Sequence, residues 1–300
     1  MHSNTSTFPY SALDLDRFRQ LQRFAFDIAL RVESQLQPGM SEYEVRTLMR
    51  AAQAHAEVAQ VFHEPYAWFG PRTTLGQDWA PDIVKATVVA ARGMAPSATF
   101  DPTAEALHDG TPVILDLAPV MRGIAADVSY SCVIGSNPTF DEVDAGLALV
   151  RNFLLEGVRA GETLFDLYRQ LDVLLMQRGW LNCHQHYPDR ALGHLVFELG
   201  RDADRRSPIP GMGTAAAEAL LAAGLEAMEA GTCDPVWNDS PSCDHPPTPG
   251  LWAIEPHIGK DGVGVKFEEL LVVTEDDAYW LDDDPPHVKR WAAARYPTTQ

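Results

Sequence analysis

Four carboxylates stand inside stretches of sequence that are otherwise strongly apolar. Asp116 falls within Pro-Val-Ile-Leu-Asp-Leu, and Asp127 follows it by eleven residues. Near the other end of the chain, Glu255 follows Leu-Trp-Ala-Ile, and Glu268 precedes Glu-Leu-Leu-Val-Val. Burying an isolated charge is costly, whereas a divalent cation that binds carboxylate oxygens offsets the cost. The pattern therefore indicates a metal site, and the alternative is that the carboxylates lie on a solvated face of a sheet.

The first two carboxylates are predicted to face each other across a hairpin. If the turn is centred on Met121-Arg122, counting outward places Asp116 directly opposite Asp127. Directly opposed residues share one face of the strand pair, with Cβ atoms about 4.5–5.5 Å apart. Two carboxylates at that separation repel each other unless a cation or a proton lies between them.

The second pair is predicted to have the same arrangement. Asp261-Gly262 is the strongest short signal for a two-residue hairpin turn, and counting outward from it places Glu255 opposite Glu268. The flanking apolar residues indicate strands that are covered on both faces, which argues against the solvated alternative. Carboxylates with an imidazole suit Mn, Fe, Co or Zn, and two such ions about 3.5–4 Å apart can share bridging carboxylates.

Two pairs of helices must position these hairpins. Apolar residues at three- and four-residue steps predict a helix over Asp14–Gln37, and Ser41 with Glu44 forms the capping box of a second helix. About 120 residues later, a helix over Phe140–Arg159 is followed by one that Thr163 caps. Strand and turn signals follow each pair. We therefore predict an α+β fold of two similar halves packed around one core.

Two other segments complete the predicted architecture. Ala80 to Gly93 is predicted to be a strand. Gly200 to Gly250 is predicted to be a surface excursion around an alanine-rich helix at Thr214 to Glu229, because strand signals resume at Leu251. The whole chain, residues 1–300, is thus predicted to be a single catalytic domain.

The composition restricts the class of protein. The 300 residues are 46% apolar, with a net charge of −19, so clustered Lys and Arg for nucleic acid binding are not expected. No apolar run approaches the roughly 20 residues of a membrane helix, and the start lacks the pattern of a secretion signal. The four cysteines are widely spaced and are predicted to be reduced thiols. We expect a cytoplasmic protein with no nucleic acid or membrane partner, and a homodimer is possible.

The motifs, in this order, resemble those of the pita-bread metallopeptidases: methionine aminopeptidase, aminopeptidase P, prolidase and the non-peptidase creatinase. The resemblance rests on Pro-Gly-Met-Ser after the first helix, the Asp116 and Asp127 pair, Leu-Gly-His194, Ile-Glu255-Pro and Phe-Glu268. It covers nearly the whole chain. It implies the pita-bread fold, in which pseudo-twofold halves form a curved antiparallel sheet that helices cover.

The resemblance also implies a ligand set and a reaction. Two divalent metal ions (Mn, Fe, Co or Zn) would be held by five residues, with Asp127 and Glu268 bridging and Glu255 also serving as the proton shuttle. These metal ligands would be Asp116, Asp127, His194, Glu255 and Glu268. The implied activity is hydrolysis of a peptide or amide C–N bond in a small substrate by a metal-activated water.

The chain departs from the family pattern at two histidines. The histidine expected seven residues after His194 is replaced by Arg201, and Ser97 to Thr103 offers no histidine before the first aspartate. In peptidases of the family, those histidines hold the substrate carbonyl and the scissile nitrogen, so their absence puts ordinary aminopeptidase activity in doubt.

Other histidines are candidates for the missing catalytic roles. His257 is favoured first, since it would share the face of Glu255 on a regular strand, and His63 second, since it lies in an aromatic, turn-rich stretch. His245 is a weaker candidate, and His184 and His186 are predicted to be loop residues near His194.

Three alternatives to a peptidase remain open on the sequence. A metalloenzyme on the same scaffold could carry out oxidative or decarboxylating chemistry, which the missing histidines favour. A metal-free, creatinase-like hydrolase and a binding protein that has lost catalysis are also compatible with the fold. The intact ligand set argues against both of these.

Overall fold

The computed structural model of the protein describes residues 8–54, 58, 60–75, 101–187, 190–196, 222 and 235–294. The predicted strand at 80–93, the predicted helix at 214–229, most of the excursion at 200–250 and Arg201 lie outside these residues. Cys132, Cys183 and Cys243 are buried and form no disulfide with a described residue, and Cys233 lies outside the described residues.

The helices form the two predicted pairs and a carboxyl-terminal addition. Among the described residues they are α1 (Ala12–Glu33), α2 (Glu42–Gln53), α3 (Pro138–Arg159), α4 (Leu164–Gln177) and α5 (Pro286–Ala293). Short 3-10 turns occupy Gly70–Thr74, His184–His186 and Pro241–Cys243. None of the helices in this part of the chain has the length and apolar character needed to cross a membrane.

Side-chain caps explain where the helices begin. The capping box of α2 is confirmed, because Glu44 accepts a hydrogen bond from Ser41 N at 2.8 Å and Ser41 Oγ accepts one from Glu44 N at 3.4 Å. Thr163 Oγ1 caps α4 by accepting from Asp166 N at 3.1 Å. Helix α1 begins earlier than predicted, because Ser11 and Asp14 form a further capping box.

The strands form antiparallel sheets. They are β1 (Gln60–Val61), β2 (Tyr66–Phe69), β3 (Pro112–Leu117), β4 (Pro119–Met121), β5 (Ile124–Ala125), β6 (Val128–Val133), β7 (Leu181–Asn182), β8 (Gly193–Leu195), β9 (Val236–Trp237), β10 (Gly250–Ile254), β11 (His257–Lys260), β12 (Val263–Lys266), β13 (Glu269–Val273) and β14 (Ala278–Trp280). The strand orders are β1-β4-β5, β2-β3-β6, β12-β11-β7 and β14-β13-β10-β8-β9.

The predicted register of the first hairpin is wrong. Val120 pairs with Ala125, and Asp116 pairs with Ser129 rather than with Asp127. The turn is formed by Arg122 and Gly123, both with positive φ, so it lies one residue further along the chain than predicted. The partner of Asp116 therefore moves by two residues, and this shift keeps Asp127 on the same face because side chains alternate with a period of two.

The predicted register of the second hairpin is confirmed. Lys260 pairs with Val263 across the Asp261-Gly262 turn, and Ile254 pairs with Glu269 in the same register. The strand is interrupted between β10 and β11, at Glu255 and Pro256, since proline has no N–H to donate to the ladder. Glu255 and Glu268 consequently lie in the gap between two ladders.

Each half has its own hydrophobic cluster, and a third cluster, in which α1 packs on β10 and β13, joins the halves. Helices α1 and α2 pack on β2, β3 and β6, whereas α3 and α4 pack on strands of the second half. The halves meet where β6 lies beside β12. There Ser131 Oγ accepts from Lys266 N at 2.7 Å and donates to Lys266 O at 2.8 Å, and Glu268 N donates to Ser129 O at 3.2 Å. This junction brings the two acidic hairpins face to face.

Candidate metal centre

Asp127 lies between two histidines at the centre of the cluster. Its Oδ1 is 2.9 Å from His63 Nε2, and its Oδ2 is 3.9 Å from His194 Nε2. His63 Nε2 is also 3.2 Å from Asp116 Oδ1. The two oxygens of Asp127 are therefore directed to opposite sides, which is the arrangement of a carboxylate that can bridge two ions.

Both histidines are oriented in the same way. His63 Nδ1 donates to the backbone oxygen of Glu64 at 2.8 Å, and His194 Nδ1 donates to that of Leu195 at 3.0 Å. A backbone carbonyl on Nδ1 leaves the Nε2 lone pair of a neutral imidazole directed at the carboxylates, as in histidines that bind metals.

Lys266 is a member of the cluster that the sequence analysis did not predict. Its ammonium lies 2.7 Å from Asp116 Oδ2, 2.9 Å from Glu255 Oε2 and 3.1 Å from Glu268 Oε2. An ammonium has three donors, and three predicted ligands lie within 3.1 Å of this one, with a hydrogen bond to Asp116. The signal was present in the sequence, since Lys266 stands two residues before Glu268 and a regular strand would place both side chains on one face.

Ser129 is a second member that was missed. Its hydroxyl lies 2.6 Å from Asp116 Oδ2 and 3.2 Å from Glu268 Oε2, so it joins one carboxylate from each hairpin. It stands two residues after Asp127 on β6, which again places it on the carboxylate face.

The charged residues of the cluster shift one another's pKa values. Burial would raise the pKa of the Asp116 carboxyl, but Lys266 and His63 outweigh burial and hold that pKa well below its usual range. Burial and the nearby charge of Asp127 raise the pKa of Glu268 well above its usual value despite Lys266. Burial also raises the pKa of Glu255. Carboxylates with pKa values pushed apart are typical of sites that handle protons or cations.

The pKa values of His63 and Lys266 are both raised in this environment. Burial would lower the pKa of each, but Asp127 and Asp116 raise the pKa of His63 well above its usual value. Asp116, Glu255 and Glu268 do the same for Lys266.

His257 lies behind the cluster. Its Nδ1 is 2.8 Å from the Tyr187 hydroxyl, and its Nε2 donates to the backbone oxygen of Thr73 at 2.5 Å. Burial, together with the charge of Lys266, lowers the pKa of His257 to about 3. The break in the strand at Pro256 explains why His257 does not share the face of Glu255. It contacts the cluster through Tyr187, whose ring lies 5.0 Å from Lys266 Nζ.

Aromatic rings line the accessible side of the cluster. Phe62 stacks on His194 at 5.7 Å, and Tyr66 stacks on His63 at 5.0 Å. Among the four carboxylate side chains, Glu255 is the most exposed at 14%, whereas Asp116 and Glu268 are 4% and 2% exposed. A molecule approaching from solvent therefore meets Glu255 and the two histidines first.

The remaining candidate histidines lie elsewhere. His184 is fully buried in a 3-10 turn with its ring edge-on to Tyr168 at 5.2 Å, and His186 ends the same turn. His245 Nδ1 donates to the backbone oxygen of Pro246 at 2.7 Å, and its own carbonyl accepts from Leu164 N at the start of α4.

The residues present fit divalent metal ions. Two groups have ligand atoms that all lie within 4.8 Å of one another: His63, Asp116 and Asp127, and Asp127, His194 and Glu268. Lys266 contacts one oxygen of each of its three carboxylates, which leaves the other oxygen of each for a metal. The donor set of imidazole nitrogens and carboxylate oxygens is the one that Mn, Fe, Co and Zn accept.

The family model described as metallopeptidase family M24 matches residues 16–275. The chain belongs to this family. The match confirms the resemblance seen in the sequence, and it spans every described residue of the cluster, from His63 to Glu268. No curated protein matches this M24 chain by sequence.

Solved structures similar to this M24 chain confirm the pita-bread fold. An X-Pro aminopeptidase from Thermotoga maritima MSB8 superposes with a TM-score of 0.60 at 14% identity, covering 92% of this chain and 62% of that one. An Xaa-Pro dipeptidase from Bacillus anthracis superposes with a TM-score of 0.60 at 14% identity, covering 93% of this chain and 63% of that one. The prolidase from Pyrococcus horikoshii OT3 superposes with a TM-score of 0.60 at 14% identity, covering 92% of this chain and 63% of that one. The chain thus spans about three fifths of the length of these structures.

Proposed function

We propose that this protein is a dinuclear metal-dependent hydrolase that cleaves a peptide or amide C–N bond in a small substrate. The observation that carries the proposal is the convergence of all five predicted ligands on one cluster, with Asp127 directed to both sides. The printed names of the structural neighbours, an X-Pro aminopeptidase, an Xaa-Pro dipeptidase and a prolidase, support a peptide substrate.

The charge of the cluster favours two ions. Its four carboxylates carry four negative charges when ionised, and Lys266 offsets one of them. The three that remain are more than a single divalent ion neutralises. Mn, Fe, Co and Zn all suit the donors, and manganese is our first choice because the site is rich in carboxylate oxygens.

Each residue of the cluster has a separate task in the proposed reaction. When bound, the two ions supply a nucleophile by lowering the pKa of a water molecule, and they polarise the scissile carbonyl. Glu255 is placed to move the proton, because it is the most exposed of the four carboxylates and its raised pKa brings it closer to neutral pH. Lys266 and Ser129 fix Asp116 and Glu268.

His257 would act as a positioning residue. Its hydrogen bond to Tyr187 holds the ring that lies over Lys266, so it orients the ammonium rather than the substrate. The family histidines that usually contact the substrate are absent from the sequence at Arg201 and at 97–103. The substrate is therefore expected to be small, with its amide placed by the metal ions, Glu255 and the aromatic wall.

The experiment measures metal content and hydrolysis together. Protein purified without chelator is assayed by elemental mass spectrometry, and wild type and Asp127→Ala are then tested with Mn, Fe or Co on dipeptides, X-Pro peptides and small amides. We expect about two ions per chain in the wild type, loss of at least one in the variant, and hydrolysis by the wild type only. A folded wild type that stays empty on metal addition would overturn the proposal.

Because the family histidines are missing, oxidative chemistry is tested as the alternative reaction class. Bound iron with oxygen uptake and no cleavage of any amide would favour an oxidative enzyme on the same scaffold. An oxygen electrode on the iron-loaded protein, run with the same amide panel, distinguishes the two.

A further inference from the structure

We propose that His63 is a sixth metal ligand, which completes a His63–Asp116–Asp127 site beside the Asp127–His194–Glu268 site. The inference rests on the proposed metal centre. It adds a ligand that lies outside the five-residue set implied by the resemblance, and it gives each of the two ions one imidazole.

The ring of His63 is held with one nitrogen directed at the carboxylates. Nδ1 donates to the backbone oxygen of Glu64 at 2.8 Å, so Nε2 is the nitrogen that faces Asp127 Oδ1 at 2.9 Å and Asp116 Oδ1 at 3.2 Å. Three electron-rich atoms this close together need a proton or a cation among them. A divalent ion is one that both aspartates and an imidazole can share.

The spacing of the three atoms fits a metal site. Ligand atoms bound at about 2.1 Å and at right angles around a divalent ion lie about 3 Å apart. The 2.9 and 3.2 Å separations at His63 match that spacing. All three ligand atoms lie within 4.8 Å of one another, so one ion can contact all of them.

His194 provides an internal comparison. It uses the same anchor, with Nδ1 bonded to the carbonyl of the next residue, and it faces the other oxygen of Asp127 at 3.9 Å. The two histidines thus stand on opposite sides of one bridging carboxylate. If His194 is a ligand, the matching geometry of His63 gives it the same role.

The surrounding structure keeps His63 in place. Phe62 N donates to Ala118 O at 2.8 Å, and β1 pairs with β4, so the segment is tied to the hairpin that carries Asp116. The ring stacks on Tyr66 with planes 14° apart, and its side chain is 12% exposed. A preorganised nitrogen loses little conformational entropy when it binds an ion.

The experiment uses cobalt to count both ions and imidazoles. The wild type, His63→Ala and His63→Gln are loaded with Co²⁺, and bound metal is measured by elemental analysis and by titration. X-ray absorption spectroscopy gives the average number of imidazoles per cobalt. His245→Ala is the matched control, since His245 has the same Nδ1-to-carbonyl anchor but lies at the start of α4.

The expected results test His63 as a ligand separately from the proposed function. We expect about two ions and about one imidazole per cobalt in the wild type, at least about tenfold weaker binding of one ion in both His63 variants, and no change in His245→Ala. Partial recovery of the second ion in His63→Ala on addition of free imidazole would support direct coordination.

Three outcomes would overturn the inference. Two ions held with unchanged affinity in both His63 variants would overturn His63 while leaving the proposed function intact. So would about half an imidazole per cobalt in the wild type, a measurement that needs no variant to fold. A wild type that binds no metal would overturn both proposals.

Discussion

Replacing Lys266 with methionine removes the ammonium that contacts Asp116, Glu255 and Glu268. The methionine side chain has nearly the same length, so packing changes little while one buried positive charge is lost. Lys266 is 4% exposed and stands on β12, whereas Lys260 stands on the adjacent strand of the same hairpin and is 32% exposed. Lys260→Met is therefore a matched control.

The size of the effect follows from burial. Removing one partner of a buried ion pair typically costs about 3–5 kcal/mol, because the remaining charge is left unpaired. Three carboxylates lose a contact here, but Glu268 and Glu255 have raised pKa values and can take up protons, which limits the loss. We expect about 4 kcal/mol less unfolding free energy for metal-free Lys266→Met at pH 7. The exposed Lys260–Glu142 pair should be worth less than about 1 kcal/mol.

Metal should reverse much of this loss. The ammonium repels divalent ions and holds one oxygen on each of three ligands, so its removal strengthens metal binding. In saturating Mn²⁺ the deficit of Lys266→Met should shrink to less than about 2 kcal/mol, since ligand that binds the folded state alone stabilises it. Urea unfolding followed by circular dichroism, in chelator and in Mn²⁺, gives both values.

Two results would refute this reasoning. If metal-free Lys266→Met is as stable as the wild type, the ammonium does not neutralise the cluster in the folded protein. If the variant binds Mn²⁺ more weakly than the wild type, the positioning of the ligands by Lys266 outweighs its repulsion of the ions.

Three further changes test the framework around the centre. Burial would raise the pKa of Glu269, but Arg151 and His287 outweigh burial and lower it to about 2, so its stabilisation is complete above pH 4.5 and is lost as the pH falls toward 2. Glu269→Gln should therefore remove about 3 kcal/mol at pH 7 and flatten the fall in stability below pH 4.5, as measured by urea unfolding across pH. Glu42→Ala should cost about 3–5 kcal/mol, because the buried carboxylate accepts from two backbone amides and pairs with an arginine, and thermal melting measures the loss. Gly264→Ala should lower the melting temperature by several degrees, since an added Cβ would overlap the backbone oxygen of Thr73.

Each of these changes has a control and a contradicting result. A Glu269→Gln curve parallel to that of the wild type below pH 4.5 would mean that this carboxylate is not the titrating group. Glu44→Ala, at an exposed capping position, should cost only about 1 kcal/mol, and an equal loss for Glu42→Ala would contradict the burial argument. Gly250→Ala controls for Gly264→Ala, because its added Cβ meets a flexible side chain at 3.2 Å.

The helices and the second hairpin could be predicted from the sequence because their signals are local. Caps at Ser41 and Thr163 and the Asp261-Gly262 turn each fix a boundary within a few residues. The first hairpin gave no such signal, and its register was predicted wrongly. A shift of two residues preserves which side chains share a face, so the alternating pattern could not choose between the two registers.

The carboxylates of the centre were predictable as charges in apolar strands, but their contacts with Lys266 and His63 were not. The residues around Lys266 in the sequence do not show whether its ammonium pairs with carboxylates or faces solvent. His63 lies 53 residues before Asp116, so no local pattern connects them. The face of His257 was predicted for a regular strand, and the interruption at Pro256 alters that face. Long-range contacts and backbone breaks are the features that periodicity does not encode.

The wide separation of the cluster's members along the chain also bears on how the protein folds. Residues from His63 to Glu268 span two thirds of the sequence, and both halves must dock before β6 lies beside β12. Contacts of such high sequence separation form slowly, because a long loop must close before they stabilise the chain. At the proposed centre, nascent protein would therefore bind metal ions only once folding is nearly complete. Ions bound there would join both halves across their junction, so the metal-bound protein should unfold far more slowly than the metal-free protein.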